Sequence, residues 1–262
     1  MARHLLRVVA LVYLAFLLVL PVGIVAWRTL ENGVVPFWSA LTQPNAVHAI
    51  LLTVEVATGA VVANTIFGVG MALLLVRHQF AGKRVLDALL DLPIAVSPVV
   101  VGLALILVYG RTTGAGAWLG EHGLDVIFAP PGMILATIFV SLPLVVRAVA
   151  PVLEEIGTEQ EQAAWTLGAS PLQTFRRITV PAIRWALVFG VVLTLARGLG
   201  EYGAVAVVSG RLVGQTQTAT LFVEERFQNF DQPAAYAMAF LLAAMAIAVL
   251  LATNLLRPRE GV

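Results

Sequence analysis

Five stretches of this chain run for 19 to 25 residues without a single charge: Val8–Trp27, Val56–Val76, Leu92–Gly110, Val126–Val146 and Gln232–Leu256. About 20 apolar residues in a helix cross the ~30 Å hydrocarbon core of a bilayer. Inside that core every backbone N–H and C=O must find its partner within the helix. A chain built this way has few alternatives to a bundle of membrane helices. A sixth run, Trp185–Gly210, has the length but carries Arg197 and Glu201. Composition agrees, with 60% hydrophobic and only 12% charged residues where soluble domains carry about a quarter charged. The expectation is an all-α membrane protein of six transmembrane helices forming one domain over 1–262. The spans are expected at about 8–27, 50–76, 92–110, 131–150, 183–208 and 233–256. Arg3 and Arg7 before the first run resemble a signal-peptide n-region, but no small-x-small site follows and Trp27-Arg28 closes the run. It is read as a retained span.

Lys and Arg set the orientation. With the N-terminus inside, the cytosolic side holds 11 of them: Arg3, Arg7, Arg77, Lys83, Arg84, Arg147, Arg176, Arg177, Arg184, Arg257 and Arg259. The outside holds Arg28, Arg111, Arg211 and Arg226, and Arg197 stays within the membrane. Both termini are therefore expected in the cytosol. Trp38, Trp118 and Phe230 in the outer loops are read as interfacial anchors.

Between the fourth and fifth spans lies a polar island, EQAAWTLGASPLQTFRRITVP, from Glu161 to Pro181. Its apolar residues Ala163, Ala164, Leu167, Leu172, Phe175 and Ile178 recur at helical steps. Gly168 suits the left-handed stop of a first short helix. Ser170, Pro171 and Gln173 supply an N-cap, a first-turn proline and the partner of a capping box. The spacing predicts a cytosolic helix–turn–helix within a loop over 152–181.

Other chemistry is sparse. There is no cysteine, so disulfides and thiolate metal sites are excluded, and His4, His48, His78 and His122 have no metal-ligand spacing. A net charge of +1 gives no basis for nucleic-acid binding. The only lysine, Lys83, sits in AGKR, which is not a phosphate loop. If ATP drives this protein, another chain hydrolyses it.

Within the fifth span, Arg197 and Glu201 stand four residues apart, on one face of a helix. Arg197 is about 20 Å along the helix from Arg184, too deep for easy snorkelling, and charges at such depth pair or face a wet cavity. Two readings stand: a pair lining a solute pathway, or an ion pair that fixes packing. Gly198, Gly200 and Gly203 would let a neighbouring backbone come close. In the third span Pro93 and Pro98 bracket Ser97, which predicts a bend, with Ser97 and Pro98 as further pathway candidates. Asn64 reads as an interhelical hydrogen bond, and Glu55 as a solvated helix end.

The island resembles the cytoplasmic "EAA" loop of bacterial ABC-importer permeases. Ala163, Ala164, Gly168, Ile178 and Pro181 fall at the family spacing, while Gln162 stands where the family has Glu, with Glu161 just before it, and Val180 where it has Leu. The resemblance implies that Glu161, Gln162, Ala163, Ala164, Gly168, Ser170, Pro171, Ile178 and Pro181 form an ATPase-coupling loop. With Gln162 at the Glu position, coupling is expected to rest on shape and packing more than charge. Longer stretches, DLPIAVSPVVVGLALILVYG and ITVPAIRWALVFGVVLTLARGLGEYGAVAVVSG, resemble sulfate/thiosulfate importer permeases of the CysW type. Molybdate and tungstate permeases share much of that pattern. The resemblance implies a plasma-membrane subunit, with no cofactor of its own, beside a homologous second permease. Its further implied partners are a pair of ATPase subunits carrying ATP and Mg, and an external sulfate-binding protein. A self-sufficient secondary transporter should instead show two related halves with discontinuous helices. An intramembrane enzyme should show a nucleophile elbow or a metal motif. Neither is visible in the sequence.

Overall fold

The computed structural model describes residues 2–31 and 33–256, and every regular element among them is a helix. In chain order these are α1 His4–Leu30, α2 Val34–Leu41, α3 Pro44–Arg77, α4 Lys83–Ala95, α5 Pro98–Tyr109, α6 Gly114–Glu121, α7 Pro130–Ile156, α8 Glu159–Thr166, α9 Pro171–Leu199, α10 Gly203–Val208, α11 Ala219–Gln228 and α12 Gln232–Leu256. Arg257 and Arg259, counted above on the cytosolic side, lie outside the described residues. Four helices, α3, α5, α7 and α9, begin on a proline, whose fixed φ and missing N–H suit a first helical turn.

Helices α1, α3, α7, α9 and α12 are each long and apolar enough to cross a membrane, and α4 with α5 passes the same test as a bent pair. The chain thus has five or six candidate crossings. At the centre α7 packs against α3 and α9. Lipid tails are as apolar as leucine, so such helices associate through close packing of small residues rather than through expulsion of water. Ala57, Ala60, Ala72 and Ala136 are accordingly wholly buried. Asn64, also buried, donates to the Ser141 hydroxyl at 2.8 Å and the Ile138 carbonyl at 3.1 Å, which ties α3 to α7 as expected. Helix α1 stands largely outside this core, joined to α12 near its end by a hydrogen bond from the Thr29 hydroxyl to the Tyr236 carbonyl.

Three expectations are corrected. The span expected over 92–110 is two helices, α4 and α5, bent by 111° at Val96-Ser97. Both residues are extended, Ser97 at ψ 133°, because Pro98 disfavours the helical region for the residue before it. Leu90 of α4 joins the apolar cluster of Val149 and Leu153 at one end of α7. Leu105 and Ile106 of α5 pack on the cluster of Met133 and Ala136 near the other end. The span expected over 183–208 begins earlier, at Pro171, and stops at Leu199, with α10 resuming at Gly203. Finally, the second short helix of the expected helix–turn–helix is the opening of α9 itself, which continues without a stop into the membrane-length segment.

Candidate functional site

The loop between α7 and α9 follows its local chemistry. Helix α8 ends at Thr166, and Gly168 adopts φ +83°, the left-handed region that only glycine enters at no steric cost. The Ser170 hydroxyl accepts from the Gln173 N–H at 3.3 Å, while the Gln173 side chain accepts from the Ser170 N–H at 2.9 Å. This is the reciprocal capping box that the sequence predicts, with Pro171 in the first turn. Gln162 is exposed, and its side chain donates to the hydroxyl of Thr158, the residue just before α8. Ala163, Ser170, Pro171 and Pro181 are exposed, and Ala164 and Ile178 are half-buried. Apolar side chains crown the turn: Leu167 is 88% exposed, with Trp165 and Leu172 also in the open. Three large apolar side chains are thus exposed within eight residues of one another.

Glu161 behaves differently from its neighbours. It turns inward, its side chain 9% exposed against 12% for that of Arg77, and its Oε2 lies 3.1 Å from Arg77 Nε at the end of α3. The Thr179 hydroxyl donates to Glu161 Oε1 at 2.8 Å, and Arg77 Nη1 donates to the Leu153 carbonyl of α7 at 3.0 Å. One carboxylate and one guanidinium thereby join α3, α7, α8 and α9. Thr179 reaches this point from a π turn, Phe175–Thr179, in which the Val180 N–H bonds the Phe175 carbonyl five residues back. Sequence reasoning missed both partners of Glu161. A lone Arg at the end of an apolar run looks like ordinary positive-inside charge, and a threonine near a helix start looks like solvent-facing filler.

At the other end of α9, Arg197 and Glu201 do pair, at 2.5 Å. They do so across the end of the helix rather than along one face of it, because α9 stops at Leu199. Glu201, its side chain 2% exposed, also accepts from the Ala204 N–H at 3.0 Å and so caps α10. Its own carbonyl receives the Thr220 hydroxyl at 2.8 Å. The Arg197 side chain stays 38% exposed. The two chain breaks meet here: a Cβ placed on Gly203 would stand 2.9 Å from the Pro98 Cβ, too close for any other residue. Ser97 is exposed and Pro98 half-buried. The structure thus brings Pro98 against Gly203, two residues past Glu201, while Ser97 shares the break without a contact to either charge among the described hydrogen bonds. Gly198 likewise abuts Ala57, whereas Gly200 meets only its own helix.

A third cluster lies on α4 and α7, where Arg147 pairs with Asp87 at 2.8 Å and with Asp91 at 2.7 Å. It fastens α4 to α7 below the bend. Outside the spans, Arg111 and Asp125 pair at 2.6 Å on the surface, and the hydrogen bond from Arg111 holds the Asp125 carboxyl below its ordinary range.

Comparison with known proteins agrees with this architecture. The family model described as "Binding-protein-dependent transport system inner membrane component" matches residues 64–262. The sulfate transport system permease protein CysW of Synechocystis is 46% identical over 99% of this chain and 94% of its own length. Its Escherichia coli K12 namesake is 45% identical over 94% of this chain and 84% of its own. The Salmonella typhimurium sulfate permease protein CysT is 37% identical over 96% and 91%. A chain in the crystal structure of a bacterial alginate ABC transporter, bound to a periplasmic protein carrying an alginate pentasaccharide, shares the fold at TM-score 0.78. It is 16% identical and aligns over 98% of this chain and 94% of that one. This chain therefore belongs to the binding-protein-dependent transport system inner membrane components, the multi-pass permeases of ABC importers.

Proposed function

We propose that this chain is the membrane permease subunit of an ATP-driven importer for sulfate and thiosulfate, handed over by an external binding protein. The substrate reading rests on the names of relatives at 45–46% identity over nearly the whole chain. Molybdate or tungstate is the second reading, favoured only by the similarity of those permeases. An energy source suits such a solute: against an inside-negative potential a dianion costs about 4.6 kcal/mol per 100 mV to bring in.

The single observation that carries the coupling role is the uncovered apolar turn of Trp165, Leu167 and Leu172 on a chain with no phosphate loop. That turn docks on an ATPase subunit, which supplies ATP and Mg; this chain contributes no cofactor site. Both termini then lie in the cytosol and the bent α4–α5 pair counts as one crossing, giving six. The contacts of α4 and α5 near opposite ends of α7 support that count. A homologous permease completes the membrane part, as the separate CysW and CysT relatives suggest. Arg197 meets the anion, Glu201 orients Arg197, and Ser97 and Pro98 line the passage at the bend.

The test is uptake of labelled sulfate by cells carrying the complete system, in competition with thiosulfate, molybdate and tungstate. Thiosulfate is expected to compete as well as unlabelled sulfate; stronger competition by molybdate turns the assignment over to the second reading. For docking, Leu167→Glu with Leu172→Glu is expected to leave the permease in the membrane but lose the co-purifying ATPase. Retained association removes the docking role from this turn.

A further inference from the structure

From the joint at Arg77, Glu161 and Thr179 we infer a specific positioning device: Glu161 acts inward, and with Arg77 and Thr179 it locks α8 to α9 so that the docking turn and the span move as one body. This rests on the coupling reading above and assigns to it residues that bond the chain's own helices. The Arg77 and Glu161 side chains are only 12% and 9% exposed, although both line a cleft with Trp165 and Pro171. Each bond runs between elements: α8 to α3 through Arg77, α8 to α9 through Thr179, and α3 to α7 through the Leu153 carbonyl. A buried charge pair tolerates little misalignment, since a shift of either partner leaves an uncompensated charge. The joint is therefore stiff where the surrounding turn, Gly168 to Ser170, is exposed or half-exposed and held mainly by backbone and cap bonds. The π turn at Phe175–Thr179 adds a second, independent sign. Such wide turns are rare and concentrate at functional positions, and this one ends on the residue that reaches Glu161.

The absence of cysteine in the chain makes a direct test clean. In the assembled transporter, with its ATPase, second permease and binding protein in proteoliposomes, Gln160→Cys and Val192→Cys carry spin labels on α8 and α9. Val192 lies 13 residues past Thr179, about 20 Å along the helix. In the parent chain the label distance is expected to be narrow and the same with and without ATP. In Glu161→Gln it broadens, and sulfate moved per ATP hydrolysed falls at least tenfold. Thr179→Val, which keeps the ion pair and removes one hydrogen bond, gives a smaller loss of the same ratio and guards against misfolding of the charge variant. A parent distance that shifts on ATP binding by more than about one helical pitch, ~5 Å, overturns the proposal. An unchanged sulfate-to-ATP ratio in folded Glu161→Gln does the same. So does loss of ATPase association in that variant with the label distance intact, because the carboxylate would then serve the partner. If instead the Leu167 and Leu172 variants keep their ATPase, the docking reading fails while the label distance still decides this proposal.

Discussion

An ion pair stands near each end of α9, and the two are built to opposite plans. Thr179 and Arg197 are 18 residues apart, about 27 Å along the axis. At the first end, Glu161 and Arg77 are closed in and shared among four helices. At the second, only the carboxylate is buried: Glu201 caps α10 while Arg197 keeps 38% of its side chain exposed beside two chain breaks. An enclosed pair satisfied from several elements is a fastening. A buried acid holding a partly free guanidinium presents a positive charge at a fixed place, which is what an anion passing through needs. In the proposed function, one continuous helix, α9, would link the docking turn to the place where the solute is met.

The sharpest way to break this contrast is Arg77→Ala. It leaves Glu161 buried without its cation, a loss of about 3–5 kcal/mol by analogy with other buried pairs, and thermal unfolding in detergent should fall by many degrees. An unaffected melting temperature would mean that the first pair is no fastening. Next, Gly203→Leu drives a side chain into Pro98 and separates the two breaks, costing about 1–3 kcal/mol of overpacking. Uptake should fall further than in Gly200→Ala, whose Cβ meets only its own helix. Arg197→Ala leaves the buried Glu201 carboxylate with only its Ala204 cap and so costs stability as well, but in the folded protein it should raise the sulfate KM about tenfold, or ~1.4 kcal/mol of lost attraction. Asn64→Ala removes two interhelical hydrogen bonds of about 0.6 kcal/mol each and should change neither end of α9 by more than their sum. The smallest effect belongs to the exposed Arg111–Asp125 pair. Its lowered carboxyl contributes stability present above the ordinary carboxylate pKa and lost as pH falls through the lowered value. Only acid below the ordinary carboxylate pKa should therefore loosen this loop, and Asp125→Asn should abolish that pH response, as read by hydrogen exchange.

Much of this was legible in the sequence because its causes are local. Charge-free length marks the spans, and Gly168, Ser170, Pro171 and Gln173 announce their turn since caps act over three or four residues. Arg197 and Glu201 are visible as a pair because they are opposite charges four residues apart in an apolar run. What stayed hidden depends on distant segments. Arg77 precedes Glu161 by 84 positions, and no spacing rule connects them. The 111° bend at Ser97 exceeds what a proline alone predicts, and it is held by α10, whose Val207 and Ala204 crowd Gly102 on α5. The stop at Leu199 was missed for a related reason: the apolar run continues past it, and only the buried Glu201 cap on α10 restarts the helix.

Both ends of α9 can be read in one experiment: labelled sulfate uptake and ATP hydrolysis measured together in proteoliposomes for Glu161→Gln and Arg197→Ala. The account predicts a split, with sulfate per ATP falling in Glu161→Gln at near-normal KM, and KM rising in Arg197→Ala at a near-normal ratio. If both variants change the same parameter, the two pairs are not a fastening and a contact, and the division of labour along α9 is wrong.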